Sequence, residues 1–272
     1  MYLLNAVNIS TYGITPGHSP RSNISLQGCF DMPARTGECY HDWGDEDSVE
    51  AWVLADEIMF AGRDITFYGS MFGTRSVINA LLQSLYDAIA VFTDTVTFST
   101  PYGDFTVYIK SIVPQHYHGA SSVIITFREP VVSLAGDLPA EESSNYEIDS
   151  IPFASFGVYV SKPESIFSLP ELKEQQFTLY GAEGYQIVKR KAKTLEIDGF
   201  ISGTSLADFI EKVQALYKVF SSAGLRTINL NNKILVTCFA IEGFKVSNVI
   251  VFNSGVIANF HIILIVTNVV FS

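Results

Sequence analysis

The chain has 272 residues, 48% apolar and 17% charged, so it can bury one large core or two of ordinary size and does not resemble a disordered chain. Its 28 acidic and 17 basic residues give a formal net charge of −11. That balance argues against a general nucleic-acid binder, which needs Lys and Arg, and against adhesion to anionic membranes. The 20 Phe and 13 Tyr favour β structure.

Targeting and redox signals are sparse. The three cysteines, Cys29, Cys39 and Cys238, follow no regular spacing, which indicates a reducing compartment rather than a disulfide framework. Cys39 and His41 could supply two zinc ligands, but no second pair follows at the usual spacing, so we expect no metal and no other cofactor. The first residues, MYLLNAVNIS, lack a basic region and a long apolar region, and we therefore expect no signal peptide.

Residues 38–57, which we call the acidic loop, contain eight carboxylates and neither Lys nor Arg. Calcium is one interpretation, because carboxylates are hard oxygen ligands, but the EF-hand spacing fails at its glycine and at its final glutamate. A glycosidase-like carboxylate pair is a second interpretation, and spacing alone does not test it. A solvated surface loop is the plainest one.

The stretch DITFYGSMFGT at residues 64–74 alternates apolar and polar residues and ends in Gly-x-x-x-Gly-Thr. This pattern predicts a strand followed by a turn. Apolar residues at helical spacing then predict a helix over residues 75–92. Three further strands are predicted at residues 95–98, 105–112 and 122–128.

The same phrase returns at residues 194–204 as TLEIDGFISGT, and the same elements follow it in the same order. Ser205 and Asp208 form an N-cap pair, and the apolar spacing after them predicts a helix over residues 205–220. The strands predicted after this helix cover residues 227–230, 234–241 and 258–266.

This recurrence predicts an internal duplication. The predicted fold is mainly β (α+β), with two tandem β-sandwich or barrel domains, each flanked by one α-helix. The first domain covers residues 1–135 and includes the acidic loop, and the second covers residues 153–272. Residues 136–152 are predicted to be a linker, because they contain Pro139, a Ser143-Ser144 pair and five carboxylates.

The C-terminal stretch FHIILIVTNVVF, residues 260–271, is too short and too polar to span a bilayer. Its β-branched residues predict a strand that is buried on both faces. We accordingly expect His261 to be a core residue with its hydrogen bonds satisfied.

A β unit with one flanking helix, repeated and without catalytic motifs, resembles the tail-tube fold of long-tailed bacteriophages. That fold occurs in tube proteins, distal tail proteins and baseplate hub proteins. One departure concerns the second half, where many distal tail proteins have a galectin-like β-sandwich and this chain repeats the tube-like unit. Four stretches of the first half resemble the distal tail family: SNISLQG (22–28), HDWGDEDSVEAW (41–52), GRDITFYG (62–69) and FREPVVSL (127–134).

The resemblance implies a structural virion protein and not an enzyme. Such a protein would form a ring at the distal end of the tail, join the tail tube to the tip and line the DNA channel. Its partners would be further copies of itself, the neighbouring tube and tip proteins, and DNA that passes without specific binding, with no membrane partner. It would be located in the virion tail after assembly in the bacterial cytoplasm.

Under this hypothesis the acidic loop could face the channel or a neighbouring subunit. Carboxylates repel phosphates and let DNA slide, whereas Lys and Arg would hold it. For the two tryptophans of the loop, packing onto the sheet is the favoured role and an exposed interface anchor the alternative. The candidate channel or interface carboxylates are Glu38, Asp42, Asp45, Glu46, Asp47 and Glu50, and the candidate interface aromatics are Trp43 and Trp52.

A ring of six units can be built from six single-unit chains or from three double-unit chains, since closed cyclic symmetry allows both. The linker supplies the second unit at high effective concentration, so we favour the trimeric pseudo-hexamer over a hexamer of whole chains. Three other functions stay open for the chain. One is a major tail tube protein with a duplicated tube domain, the second is a carbohydrate-binding or hydrolysing β protein, and the third is a ligand-binding pair of barrels.

Overall fold

Most of the chain lies in antiparallel β-sheet in the computed structural model, which describes residues 1–164, 167–179, 181–231 and 234–271. Within these residues there are two eight-stranded sheets, two short two-stranded ribbons and two α-helices. The predicted mainly β fold with two helices is therefore confirmed. We refer to residues 1–129 as the first half and to residues 146–271 as the second half.

The first half contains the first sheet, one helix and one ribbon. Its elements are β1 (Leu3–Leu4), β2 (Val7–Asn8), β3 (Thr15–Pro16), β4 (Leu26–Gln27), the ribbon strands β5 (Tyr40–His41) and β6 (Glu50–Ala51), β7 (Arg63–Phe72), α1 (Arg75–Ala90), β8 (Val96–Thr100), β9 (Gly103–Tyr117) and β10 (Ala120–Glu129). The strand order in the sheet is β2-β1-β8-β9-β10-β7-β3, and β4 also pairs with β7.

The second half repeats this plan. Its elements are β11 (Tyr146–Ile148), β12 (Ile151–Pro152), β13 (Val158–Glu164), the ribbon strands β14 (Leu172–Leu179) and β15 (Ala182–Arg190), β16 (Lys193–Gly203), α2 (Leu206–Ser221), β17 (Arg226–Leu230), β18 (Ile234–Ala240), β19 (Lys245–Phe252) and β20 (Gly255–Phe271). The strand order is β12-β11-β17-β18-β20-β16-β13, and β19 also pairs with β20.

The two sheet orders match strand for strand. In each half an opening hairpin adds to the strand that follows the helix, and the strand that precedes the helix pairs with the last strand. The predicted recurrence of elements is thus present as a shared topology. The main difference is that β9 runs unbroken, whereas its place in the second sheet is shared by β18 and β19.

The opening hairpins also match in their turns. Asn5 and Ala6 have φ values of 48° and 64°, and Asp149 and Ser150 have φ values of 49° and 65°. Two successive residues with positive φ form the tight turn that matches the natural twist of a hairpin. The second hairpin lies inside the predicted linker, so the segment without regular structure between the sheets is residues 130–145.

A close backbone approach explains why the repeated phrase contains glycine. Gly69 faces Val123 on β10, and Gly199 faces Phe260 on β20. A Cβ at Gly69 would lie 2.6 Å from Ile14 Cγ2, and a Cβ at Gly199 would lie 2.3 Å from the carbonyl oxygen of the neighbouring strand. A side chain at either position would therefore push the adjacent strand away.

The helices begin where the sequence predicts. Thr74 caps α1 by accepting from the Val77 N–H, and Ser205 caps α2 by accepting from the Asp208 N–H at 3.1 Å. Both helices have 16 residues, and each packs one apolar side against its own half. The predicted helices over 75–92 and 205–220 are confirmed to within two residues. Neither of these described helices is long and apolar enough to cross a membrane.

The C-terminal strand differs from its prediction. On β20, Ile262 and Leu264 are fully buried, but Ile263 between them is 36% exposed. The strand is therefore buried on one face only. His261 lies on the outer face and is half-exposed, so the prediction of a core histidine is wrong.

Candidate assembly interface

The acidic loop lies between β4 and β7, and its ends are held together by the ribbon β5–β6. The second half has its own insertion at the same place in the topology, the ribbon β14–β15 between β13 and β16. The two insertions contact one another. The loop is therefore part of the contact between the halves.

Lys173 on β14 is the centre of this contact. Its Nζ donates hydrogen bonds to the carbonyl oxygens of Trp43 at 2.6 Å, Glu46 at 2.8 Å and Ser48 at 3.0 Å, and it also pairs with the Asp42 carboxylate. The Lys173 side chain is only 10% exposed. Carbonyl oxygens and a carboxylate are the ligands of a calcium loop, but here they surround an ammonium group from the chain itself.

Asp47 provides a second attachment. Its carboxylate accepts from the Arg190 N–H at 2.9 Å and lies 3.4 Å from Lys189 Nζ. The hydrogen bond from the Arg190 backbone, with help from Lys189, lowers the pKa of Asp47 below its ordinary value. Ser48 adds a backbone bond to the Arg190 carbonyl at 3.1 Å.

The two tryptophans differ in exposure. Trp43 is 45% exposed, and its Nε1 donates to the Glu50 carboxylate at 2.8 Å while its ring lies 4.1 Å from that of His41. Trp52 is half-buried, and its backbone N–H donates to the Cys39 carbonyl at 3.0 Å. Trp52 is therefore the less accessible of the two, and Trp43 remains accessible to a partner.

A buried polar cluster joins the halves at a second place. Arg63, the first residue of β7, donates from Nε to Glu129 at 2.7 Å and from Nη1 to the hydroxyl of Tyr217 on α2 at 2.6 Å. The Tyr217 hydroxyl donates to the Asp31 carbonyl at 3.2 Å. Arg63 and Glu129 side chains are 9% and 8% exposed, so this ion pair is well shielded from water.

Burial perturbs the ionisable groups of this cluster. It raises the pKa of Glu129 despite the opposing charge of Arg63, and it raises the pKa of Asp31 and of Tyr217. It also raises the pKa of the neighbouring Cys29 thiol to about 12. The cluster is a structural clamp, since its groups are paired and enclosed between the halves.

Residues 23–35 of the first half also form hydrogen bonds with residues 241–251 of the second half. The Asn23 amide donates to the Val251 carbonyl at 2.7 Å and accepts from the Val251 N–H at 2.8 Å. The Met32 N–H donates to the Phe244 carbonyl at 3.0 Å. Nearby, Phe30 packs edge-on against Phe209 with ring centroids 5.2 Å apart.

One group of residues outside this contact could hold a metal ion. Among the described residues, Glu196, Asp198 and His261 place one ligand atom each within 4.8 Å of the others. Asp198 and His261 are direct neighbours on β16 and β20, and His261 Nδ1 lies 2.9 Å from the Asp198 carboxylate. A hydrogen bond between half-exposed strand neighbours accounts for this geometry.

A comparison with solved structures finds a chain that matches over nearly its whole length. The crystal structure of the Dit protein (gp19.1) of SPP1, described as a paradigm of the hub adsorption apparatus in phages that infect Gram-positive bacteria, is 12% identical to this chain. The match covers 99% of this chain and 98% of that chain, with a TM-score of 0.37. No protein-family model matches the sequence, and no curated protein matches it.

The six predicted carboxylates of the loop all lie on the surface, but they differ in what they bind. Asp42 and Asp47 contact the second half through their side chains, and Glu46 does so through its backbone. Glu50 binds within the loop, to Trp43. The exposed carboxylates are Glu38, Asp42, Asp45, Glu46, Asp47 and Glu50.

Sequence reasoning did not find Lys173, Arg63 or Tyr217 as interface residues. Lys173 lies 130 positions from Trp43 and Arg63 lies 154 positions from Tyr217. The one available signal was the Leu-Tyr pair that recurs at the same stage of both helices, Leu85-Tyr86 and Leu216-Tyr217.

Proposed function

We propose that this chain is a structural protein of a bacteriophage tail that assembles into a ring at the distal end of the tail, where it joins the tail tube to the tip. The first support is the resemblance of four stretches of the first half to the distal tail family. The second support, which is the observation with the most weight, is the pair of sheets with one strand order and one helix each. A duplicated unit that would build a ring is expected to repeat its topology in this way.

The contact between the halves also favours a ring. The first half contributes residues 23–35, Arg63 and the acidic loop, whereas the second half contributes α2, the β14–β15 ribbon and residues 241–251. The two insertions contact one another, but Arg63 meets α2 and residues 23–35 meet residues 241–251, so non-equivalent surfaces of the two units meet there in a head-to-tail manner. Head-to-tail contacts close into rings when the rotation between units is a fraction of a turn.

Three chains would then give six equivalent units around a pore, and we favour this trimer over a hexamer of whole chains. The charge suits a channel for DNA that slides without specific binding. The net charge is −11, and the exposed carboxylates of the acidic loop would repel phosphates at a lumen or at its rim.

Sedimentation velocity of the purified chain at micromolar concentration tests the proposal. We expect a closed assembly of a single size, with three chains as the favoured count and six as the alternative. A chain that stays monomeric at micromolar concentration would contradict the ring, and binding of oligosaccharides at the acidic loop would favour the carbohydrate function instead.

A further inference from the structure

Helices α1 and α2 occupy equivalent places, but they are not equally covered. Counted from their caps Thr74 and Ser205, three positions are buried in both helices: Ile78 with Phe209, Leu82 with Val213, and Leu85 with Leu216. The twelfth position is tyrosine in both. Tyr217 is 4% exposed, whereas Tyr86 is 39% exposed.

The first half is what covers Tyr217. The polar partners of the Tyr217 hydroxyl, Arg63 Nη1 and the Asp31 carbonyl, both belong to the first half. The Tyr217 ring also stacks on Phe244 of its own half, at 5.4 Å. An exposed tyrosine in the equivalent place on α1 is therefore suited to accept the equivalent surface of another unit.

The second half has a basic residue in the place of Arg63. When Gly69 and Gly199 are taken as equivalent, the paired strands put Lys193 of β16 where Arg63 stands on β7. Lys193 is half-buried, and burial lowers its pKa. A cation thus stands at the start of the long strand in both halves.

We infer that the Tyr86 side of α1 contacts the second half of another copy of the chain. In this contact Lys193 is directed at the Tyr86 hydroxyl, as Arg63 is directed at the Tyr217 hydroxyl within the chain. This inference rests on the proposed ring and specifies its interface. The contact within the chain would recur between chains, which makes all six units of a trimer equivalent and leaves no uncovered helix.

The test compares substitutions on two sides of α1 in the full-length chain. Tyr86→Arg places a bulky cation opposite Lys193, and we expect it to raise the concentration for half-maximal assembly at least about tenfold. Ala80→Arg adds the same charge at an exposed position whose counterpart, Glu211, stays exposed on α2, and we expect a change within about twofold. Circular dichroism below the assembly concentration shows that both variants fold.

A double-mutant cycle identifies the partner residue. We expect Tyr86→Phe and Lys193→Met each to weaken assembly, and the double variant to be weakened by clearly less than the product of the two effects. If the wild-type chain assembles and Tyr86→Arg assembles equally well, or if the cycle shows no coupling, this inference is wrong while the ring stands. A wild-type chain that stays monomeric would contradict both.

Discussion

Arg63 and Lys193 have the same place in two sheets of one topology, yet their surroundings differ. Arg63 binds the buried Glu129 and reaches the other half, whereas Lys193 faces Val266 in the equivalent strand pair. The topology thus sets the position of a cation, and the neighbouring unit determines how deeply it is buried. In the contact between the halves, the first half contributes the cation and the second half contributes the helix that it binds.

Removal of these two cations is expected to give the largest difference between the halves in the free energy of unfolding. Arg63→Ala leaves Glu129 buried without its partner, and we expect it to lower the free energy of unfolding by about 3–5 kcal/mol. Lys193 is half-buried rather than enclosed, so any group that it leaves behind stays within reach of water, and we expect Lys193→Ala to cost about 1 kcal/mol or less. Urea denaturation of the monomer measures both, and equal losses would contradict the comparison.

Substitution of the two equivalent tyrosines is expected to give a smaller difference in the free energy of unfolding. Tyr217→Phe removes one of the two acceptors for Arg63 Nη1 in an enclosed site, the other being the Asp31 carbonyl, and we expect a cost of about 1–3 kcal/mol. Tyr86→Phe removes an exposed hydroxyl, so the free energy of unfolding of the monomer should change by less than about 0.5 kcal/mol. Thermal or urea unfolding below the assembly concentration is the measurement, and a costly Tyr86→Phe would show that α1 is already covered within the chain.

Lys173→Met tests the attachment of the acidic loop to the second half. The substitution keeps the length of the side chain but removes the ammonium that three carbonyl groups and Asp42 share. We expect amide hydrogen exchange across residues 42–50 to become about tenfold faster, which corresponds to ~1.4 kcal/mol of local opening free energy. The matched control is Lys189→Met, which removes an exposed ion pair and should leave the exchange nearly unchanged.

The smallest effect concerns pH. The folded-state pKa of Asp47 lies below the ordinary value of 3.8, so its contribution to loop attachment is present above that value and is lost as pH falls through the lowered pKa. We expect the exchange rates of the loop amides to rise over that acidic range in the wild type. Asp47→Asn keeps an acceptor for the Arg190 N–H but cannot titrate. The exchange rates of this variant should therefore lack the part of the rise that protonation of Asp47 causes.

Local patterns predicted both helices and the three strands after each, because each depends on nearby residues, whereas β14, β15 and β19 were not predicted. The Gly-x-x-x-Gly-Thr phrases, the caps Thr74 and Ser205 and the apolar spacing that follows them located both helices. The shared strand order followed from the recurrence of the same patterns. These features depend on segments of about ten residues, the length over which hydrophobic periodicity and helix capping are recognised.

The interface could not be predicted in the same way, because its partners lie far apart in the sequence. No residue of the acidic loop indicates that Lys173 binds the loop, and no residue near Arg63 indicates that Tyr217 is its hydrogen-bond partner. The error at His261 has a related cause: an apolar run such as that of β20 does not reveal whether one or both faces of a strand are covered. The boundaries of the two domains and the channel role of the carboxylates stay predictions.

The most direct test of the central claim, that two equivalent halves per chain build one ring, is a cryo-electron microscopy class average of the wild-type assembly. We expect a ring with six similar lobes around a pore, made of three chains, in which the contact between chains resembles the contact between the halves. Rings of six whole chains would contradict the trimer, and particles of one chain at micromolar concentration would contradict the ring.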